Sequence, residues 1–316
     1  VTVNNWQILA ADCNEDCLAD HLQILDGTLA DTDGNGVPDI CEQPGGGDGI
    51  LDVPSEYATI QEAIDAANSG QTILLQPGTY TATGDQVALI EGKNVVIEGL
   101  ADSVATTLID GESSRRCIRI RGAAADGTTL RNLTIANGRT VGATDESGTG
   151  AGIFATNAEV TVDSCQIRDN DADTHGGGAA FFLGSRVTMV GTDVRDNRGD
   201  LLAGGHNGGG VVVDGGEGFF TSCVFTGNEA LGGQGGGLAI WASVGTVESC
   251  SVRLNAANDG GGLFIQSAST ATISATTVCS NAGGQVSGDY SDLGGNCITD
   301  DCDTDTDGDG IADCND

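Results

Sequence analysis

The chain has 316 residues and a net charge of −34, from 46 acidic and 12 basic residues. A field this negative repels phosphate backbones and anionic membranes, so we exclude nucleic acid as a partner. Apolar residues make up 39% of the chain and aromatics only 4%, beside 51 glycines. This composition favours many short strands over a helical bundle, and the apolar runs are too short to predict a membrane span.

The N-terminal part joins a short apolar segment, residues 1–11, to an acidic stretch over residues 12–42 that contains cysteines. Alternating Asp and Asn side chains, a turn glycine (Gly36) and a closing Glu match the oxygen ligands that a calcium loop requires. This pattern resembles the calcium loops of thrombospondin-type, dockerin and EF-hand proteins. The predicted ligands are Asp31, Asp33, Asn35, the carbonyl of Val37, Asp39 and Glu42.

Two further loops follow the same pattern. The earlier one has Cys17 in place of the turn glycine and Gln23 in place of the closing acid, so we expect weaker binding there. Its predicted ligands are Asp12, Asn14, Asp16, the carbonyl of Leu18 and Asp20; those of the C-terminal loop are Asp305, Asp307, Asp309, the carbonyl of Ile311, Asp313 and Asp316. Three copies flanked by cysteines favour Ca²⁺ sites at both ends over ordinary Asp-Gly turns.

The 11 cysteines are densest near the two ends, which predicts disulfides and an extracellular or cell-surface location. An odd number leaves at least one thiol free or paired between chains, and the connectivity stays open. Because the chain starts at Val1 without a signal peptide, we expect a processed mature protein or an excised fragment.

A Gly-rich linker over residues 43–52 leads into an amphipathic segment. Its apolar residues at 60, 63, 64 and 67 predict one helix that opens at a Ser55 cap and ends at Gly70. An open solenoid end pairs with other chains unless it is covered, so we expect this helix to cap the solenoid that follows.

A repeat of about 27 residues follows, in which glycine clusters and apolar runs alternate with a (C/T)-x-Φ-x-x-N pattern, where Φ is apolar. Such self-similarity predicts a solenoid of short parallel strands. Identical residues of stacked coils then align, and we expect an internal amide ladder from Asn170, Asn197, Asn228, Asn255 and Asn281. Cys165, Cys223 and Cys250 share one inward position, where buried thiols are favoured over disulfides.

The stretch YATIQEAIDAANSGQTILLQPGTY over residues 57–80 resembles the cap and first rung of the pectate-lyase-like superfamily of right-handed parallel β-helices. Residues 94–111 fit its second coil. The pairing of GGG-Φ with Φ-x-x-N is similar to the repeats of polymorphic outer-membrane adhesins, and this likeness implies attachment more than chemistry. The predicted domains are thus residues 1–42 (strand and calcium loops), 43–52 (linker), 53–298 (all-β right-handed parallel β-helix) and 299–316 (calcium loop).

Two successive repeats carry charged side chains that stacking brings to one outer face. Lyase chemistry needs a cation and a base, and hydrolysis needs paired carboxylates. The weak catalytic candidates are Arg168, Asp169, Arg195, Asp196 and His206, flanked by Asp171, Asp173, His175, Arg198 and Asp200. We favour solvated ion pairs instead, because Lys93 is the only lysine and Trp241 stands without an aromatic row.

Three functions remain open at this stage. The favoured one is a secreted or cell-surface, calcium-binding structural or adhesive protein that self-associates head to tail through its termini. The second is a polysaccharide-acting enzyme of lyase or hydrolase type, and the third is a carbohydrate-binding β-helix without turnover. The fold does not choose among them.

Overall fold

The computed structural model describes residues 27–28, 50–100, 104–199 and 207–302. These residues form the predicted right-handed parallel β-helix, in which the strands build four parallel sheets. Successive coils align residue by residue, as where Ile167 pairs with Val194. The repeat therefore specifies the register, because a slip of one residue would turn the apolar side chains outward.

The ten-stranded sheet comprises Ile50–Val53, Thr72–Leu75, Val96–Gly99, Thr128–Arg131, Glu159–Asp163, Arg186–Val190, Glu217–Thr221, Val244–Glu248, Thr270–Ser274 and Ser291–Asp292. The nine-stranded sheet comprises Gly78–Tyr80, Thr107–Asp110, Thr134–Ala136, Gln166–Arg168, Asp193–Arg195, Val224–Thr226, Ser251–Arg253, Thr277–Cys279 and Cys297–Thr299. The first strand begins at Ile50, inside the segment expected to be linker, because Leu51 and Val53 are buried in the core.

The eight-stranded sheet comprises Gln86–Glu91, Arg116–Arg121, Ile153–Thr156, Ala179–Phe182, Val211–Asp214, Leu238–Trp241, Leu263–Ile265 and Val286–Ser287. The five-stranded sheet comprises Arg139–Thr140, Asp171–Ala172, Arg198–Gly199, Glu229–Gln234 and Ala256–Asp259. The helices are Ile60–Ala66 and Asp145–Gly148, with 3₁₀ turns at Val104–Thr106 and Ala123–Ala125.

The core is a set of apolar columns that run along the axis, because alternate side chains of every strand point inward. The column of the nine-stranded sheet consists of Ile109, Ile135, Ile167, Val194, Phe225, Val252, Val278 and Ile298. All but the last of these are fully buried. Each coil thus buries its apolar face only against its neighbours.

The predicted asparagine ladder is confirmed. Each Nδ2 donates to the Oδ1 of the next coil, at 2.9, 2.9, 2.9 and 3.0 Å from Asn170 to Asn281. Each Nδ2 also donates to a backbone carbonyl of the preceding coil, so these buried amides are satisfied. The ladder begins at the amide of Gly138, which donates to Asn170, and ends at Gln285, whose side chain accepts from Asn281 at 2.8 Å.

The third glycine of each cluster is explained by this ladder. Gly210 packs on the amide carbon of Asn228, and a Cβ there would lie 3.0 Å from that carbon and 2.5 Å from the Gly237 carbonyl. Gly237 stands in the same relation to Asn255. The third glycine of GGG therefore occurs together with the Φ-x-x-N pattern, because the absence of its side chain leaves room for the asparagine amide.

The capping helix is shorter than predicted and starts elsewhere. It spans Ile60–Ala66, and its N-cap is Thr59, which forms a capping box with Glu62. The expected Ser55 cap and the end at Gly70 are wrong, because the Thr59-to-Glu62 box fixes the start and Ala67 is already extended.

Two side chains attach this helix to the solenoid. The Gln61 amide donates to the Leu89 carbonyl at 3.2 Å and accepts from the Leu89 amide at 2.8 Å, pairing the edge strand of the eight-stranded sheet. Lys93, the only lysine, donates to the carbonyls of Ile64, Asp65 and Ala67 at 3.0, 3.0 and 2.6 Å. Its cation thus lies at the helix C-terminus, where positive charge is stabilising.

Two kinds of cysteine occur among the described residues. Cys117, Cys165, Cys223 and Cys250 are buried free thiols, as favoured from the repeat for the last three. Burial raises the pKa of the Cys165 thiol to about 12. Cys279 and Cys302, in contrast, form a disulfide that ties the last coils together.

Candidate functional site

The outward face of the nine-stranded sheet carries the charged candidates from the two predicted coils. Arg168 and Arg195 are direct neighbours across Gln166–Arg168 and Asp193–Arg195. Asp169 and Asp196 follow them in the turn, both with positive φ near 55°. Stacking therefore brings these four residues together, as expected.

The charged side chains of this patch pair with neighbours on the same face. The Arg168 guanidinium lies 2.6 Å from the Asp169 carboxylate, and that of Arg195 lies 3.6 Å from Asp193 and 3.3 Å from the Gln166 side-chain oxygen. Partial burial raises the pKa of Asp193 above its ordinary value, Arg195 opposes the shift and Asp196 adds to it. The patch thus offers guanidinium–carboxylate pairs on an open sheet face.

The flanking candidates belong to other surroundings. Asp173 is buried and pairs with Arg139 at 2.6 Å, while the His175 Nδ1 accepts the Asn207 amide at 3.0 Å. Asp171 and Arg198 are neighbours in the five-stranded sheet. Asp200 and His206 lie outside the described residues. The structure thus holds Asp173 and His175 in the loops between coils and not on the Arg168 face.

All predicted calcium ligands also lie outside the described residues. Within the residues that the structure does describe, no group of three or more His, Cys, Asp or Glu side chains is arranged to hold a metal ion. In the same part of the chain, no helix is long and apolar enough to cross a membrane.

Outer faces elsewhere carry further ion pairs between coils. On the ten-stranded sheet Arg131 lies 3.6 Å from Glu98 and 3.2 Å from Asp163, and Arg186 bridges Glu159 and Glu217 at 3.8 and 3.5 Å. Exposed pairs of this kind contribute little individually. They show that several arginines of this acidic chain stack between carboxylates of neighbouring coils.

Sequence reasoning missed a more concave feature. A cleft of about 620 Å³ is lined by Arg115, Arg116, Arg119 and Arg139 near the first full coils. The signal was available in the repeat, because later coils place glycine, alanine or apolar residues where Arg116 and Arg119 stand.

The solved structures to which this chain is similar include a pectate lyase and a pectin methylesterase. Pectate lyase Pel9A matches with a TM-score of 0.46 and 14% identity, over 76% of this chain and 66% of that one. The pectin methylesterase from Aspergillus niger matches with a TM-score of 0.41 and 14% identity, over 80% of this chain and 85% of that one. The chain thus spans about two thirds of the length of that pectate lyase.

No curated protein sequence matches the chain significantly. The model of the family described as "Right handed beta helix region" matches residues 82–252, which is more than half of the chain and includes the first three asparagines of the ladder. The chain therefore belongs to the right-handed beta helix region family.

Proposed function

We propose that the chain is a secreted or cell-surface, calcium-binding rod with a structural or adhesive role, which assembles head to tail through its termini. The observation that carries this proposal is that the charged candidates form ion pairs within each coil. Arg168 with Asp169, and Arg195 with Asp193, neutralise each other on an open sheet face. Such pairs suit an inert surface, and Arg195 also joins two coils by donating to the Gln166 side chain at 3.3 Å.

The ends support an assembling role. The Cys279–Cys302 disulfide fits an extracellular environment and ties the last coils where the acidic C-terminal segment begins. Calcium loops at both termini would bring divalent cations to segments that carry no lysine or arginine. Bound calcium favours the folded state and would let two acidic ends approach each other.

Electron microscopy and analytical ultracentrifugation of the full chain test this function. We expect filaments with calcium under oxidising conditions, and shorter species after chelation with EGTA. A matched variant with Asp31→Asn and Asp305→Asn should assemble poorly in calcium. A chain that stays monomeric with calcium and oxidant present contradicts the proposal.

A polysaccharide-acting enzyme is the second candidate, favoured by the raised pKa of Asp193 beside Arg195. Incubation with uronate polymers, with unsaturated product followed by absorbance, tests for lyase activity. Activity lost in Arg195→Ala and kept in Arg253→Ala, two coils away on the same face, would establish the enzyme and displace the structural role.

A further inference from the structure

Two of the buried thiols lie in adjacent coils. Cys223 and Cys250 hold equivalent positions at the corner just before the strands Val224–Thr226 and Ser251–Arg253, which pair residue by residue. They are only 1% and 4% exposed. The Cys223 amide donates to the Cys250 sulfur at 3.4 Å, so the second thiol packs directly against the coil that holds the first. The two sulfurs therefore form a pair inside the core.

The fold does not require cysteine at this position. The coils on either side have Thr192 and Thr276 there, and Thr276 accepts the Cys250 amide at 3.2 Å just as Cys250 accepts that of Cys223. Each threonine hydroxyl also donates to the carbonyl two residues earlier, at 3.1 and 2.8 Å. A hydroxyl thus makes the contacts that the coils need, and a pair of thiols in its place is a departure of the kind that marks a functional position.

The two thiol side chains have the same orientation. The sulfurs of Cys223 and Cys250 lie 3.4 and 3.2 Å from the carbonyl oxygen two residues earlier in their own coil. They also lie 3.3 and 3.5 Å from carbonyl oxygens of the preceding coil, those of Met189 and Phe220, which are register partners. Because the contacts correspond one coil apart, the separation of the two sulfurs equals the spacing between stacked strands, about 4.8 Å.

This separation decides which chemistry suits the pair. A disulfide joins its sulfurs at about 2.05 Å and its Cβ atoms at about 3.8 Å, which two aligned coils do not reach without moving. A zinc–thiolate bond is about 2.3 Å long, so an ion of similar size in line between two sulfurs spans about 4.6 Å. A metal ion between the two sulfurs therefore fits the native spacing, whereas a disulfide does not.

The small number of ligands selects the metal. Zinc sites and iron–sulfur clusters take four protein ligands, and within the described residues no third His, Cys, Asp or Glu side chain joins the two thiols. Cu⁺ is the other ion that soft sulfur ligands select. The Cys223 thiol donates toward the Cys250 sulfur, which raises the pKa of Cys223 and lowers that of Cys250. One thiolate beside one thiol balances the charge of Cu⁺, so no net charge enters the apolar core.

We propose that Cys223 and Cys250 form a two-coordinate Cu⁺ site, in which the Cys250 thiolate and the Cys223 thiol bind the ion from opposite sides. Binding releases the Cys250 proton to solvent and changes no oxidation state. The site lies inside the middle coils, so it is independent of the proposed assembly through the termini.

Copper loading of the full chain tests the site. The chain is refolded from urea without oxygen, with its disulfides intact and Cu⁺ in excess, and bicinchoninate then removes weakly bound copper. We expect about one more copper per chain in the wild type than in Cys223→Thr or Cys250→Thr, as measured by elemental analysis. Threonine occupies this position in the neighbouring coils, so both variants should fold, and thermal melts verify this.

Cys165→Thr is the matched control. Cys165 holds the same position two coils earlier, but its amide donates to Thr192 in the next coil, so it has no second thiol beside it. This variant should keep the copper, and X-ray absorption of the loaded protein should show two sulfur neighbours around the ion. Three results overturn the inference: equal copper in the wild type and Cys223→Thr, an equal loss in Cys165→Thr, or a Cys223–Cys250 disulfide in peptide maps of the native protein.

Discussion

The middle coils and the two ends of this protein are stabilised in different ways. In the middle, the same few residues recur, and each Asn or Gly makes the contact that its counterpart makes one coil away. At the ends, the stabilising contacts occur once: Gln61 and Lys93 attach the capping helix, and the Cys279–Cys302 disulfide ties the last coils. A solenoid needs repeated contacts to grow and unique ones to stop.

The distribution of charge also differs between the middle coils and the two ends. All 12 basic residues lie from Lys93 to Arg253, where stacked ion pairs offset much of the acidic charge. The segments before and after contain acidic residues but neither lysine nor arginine. The two ends therefore repel each other unless a cation intervenes, which is the role that the proposed calcium loops would have.

The largest effect should come from breaking the ladder at its centre. Asn228→Ala removes the acceptor for Asn197 and the donor to Asn255, and it leaves buried polar groups without partners. We expect the free energy of unfolding to fall by about 3–5 kcal/mol. Urea denaturation measures it, with Asn258→Ala, an exposed asparagine, as the matched control. Equal losses in both variants would contradict a special role for the ladder.

The second largest effect should come from removal of the Cys279–Cys302 disulfide. Its two cysteines are 23 residues apart, and a loop of that length is worth about 3 kcal/mol in the chain-entropy account. In Cys302→Ser we expect faster hydrogen exchange in Cys297–Thr299 and Thr277–Cys279, and unchanged exchange in the middle coils. Exchange that accelerates uniformly along the chain would mean that ends and middle unfold as one unit.

A smaller loss of stability is expected at the N-terminal capping helix. Lys93→Met removes three charge-assisted contacts to the helix carbonyls while keeping the length of the side chain, and we expect about 1–2 kcal/mol of destabilisation. Hydrogen exchange in Ile60–Ala66 reports it locally. Lys93→Arg serves as the control and should recover most of the protection. A Met variant with native protection would show that packing alone holds the cap.

The smallest effect concerns the thiols of the middle coils. Because burial raises the pKa of Cys165 to about 12, its thiol stays protonated at pH 8, where a thiolate would be needed for reaction. We expect no alkylation of Cys165 by iodoacetamide in the native protein and full alkylation in urea, as measured by mass spectrometry. Native modification at pH 8 would mean that the coils open readily.

The sequence was informative wherever a residue recurs. Asn170 to Asn281 could be assigned to a ladder because stacking converts repetition into contact, and the same logic placed Arg168 beside Arg195. Single-copy contacts left no such signal. Gln61 binds the backbone of Leu89, and Lys93 binds carbonyls of the helix, at sequence separations of 26 to 29 residues. Neither contact recurs in the other described coils, so the repeat does not predict it.

Two misses had a signal that could have been used. Thr59 and Glu62 form a capping box, which is a stronger sign of a helix start than Ser55 alone. Arg116 and Arg119 depart from what the later coils have at their positions, and this departure from the repeat locates the arginine-lined cleft. Reading a repeat for its exceptions would have found both arginines.

The asparagine ladder also gives the rod a polarity. Along the column, each Nδ2 donates to the side-chain oxygen of the following coil and each Oδ1 accepts from the preceding one, so the side-chain hydrogen bonds all run in one direction. The asparagine of a coil inserted anywhere in the column would accept a hydrogen bond from the preceding coil and donate one to the following coil. Duplication of a whole coil would therefore lengthen the protein while keeping the side-chain hydrogen bonds of the column. The step from Asn197 to Asn228 is 31 residues, against 27 and 26 elsewhere, so extra residues between two ladder positions do not interrupt the column.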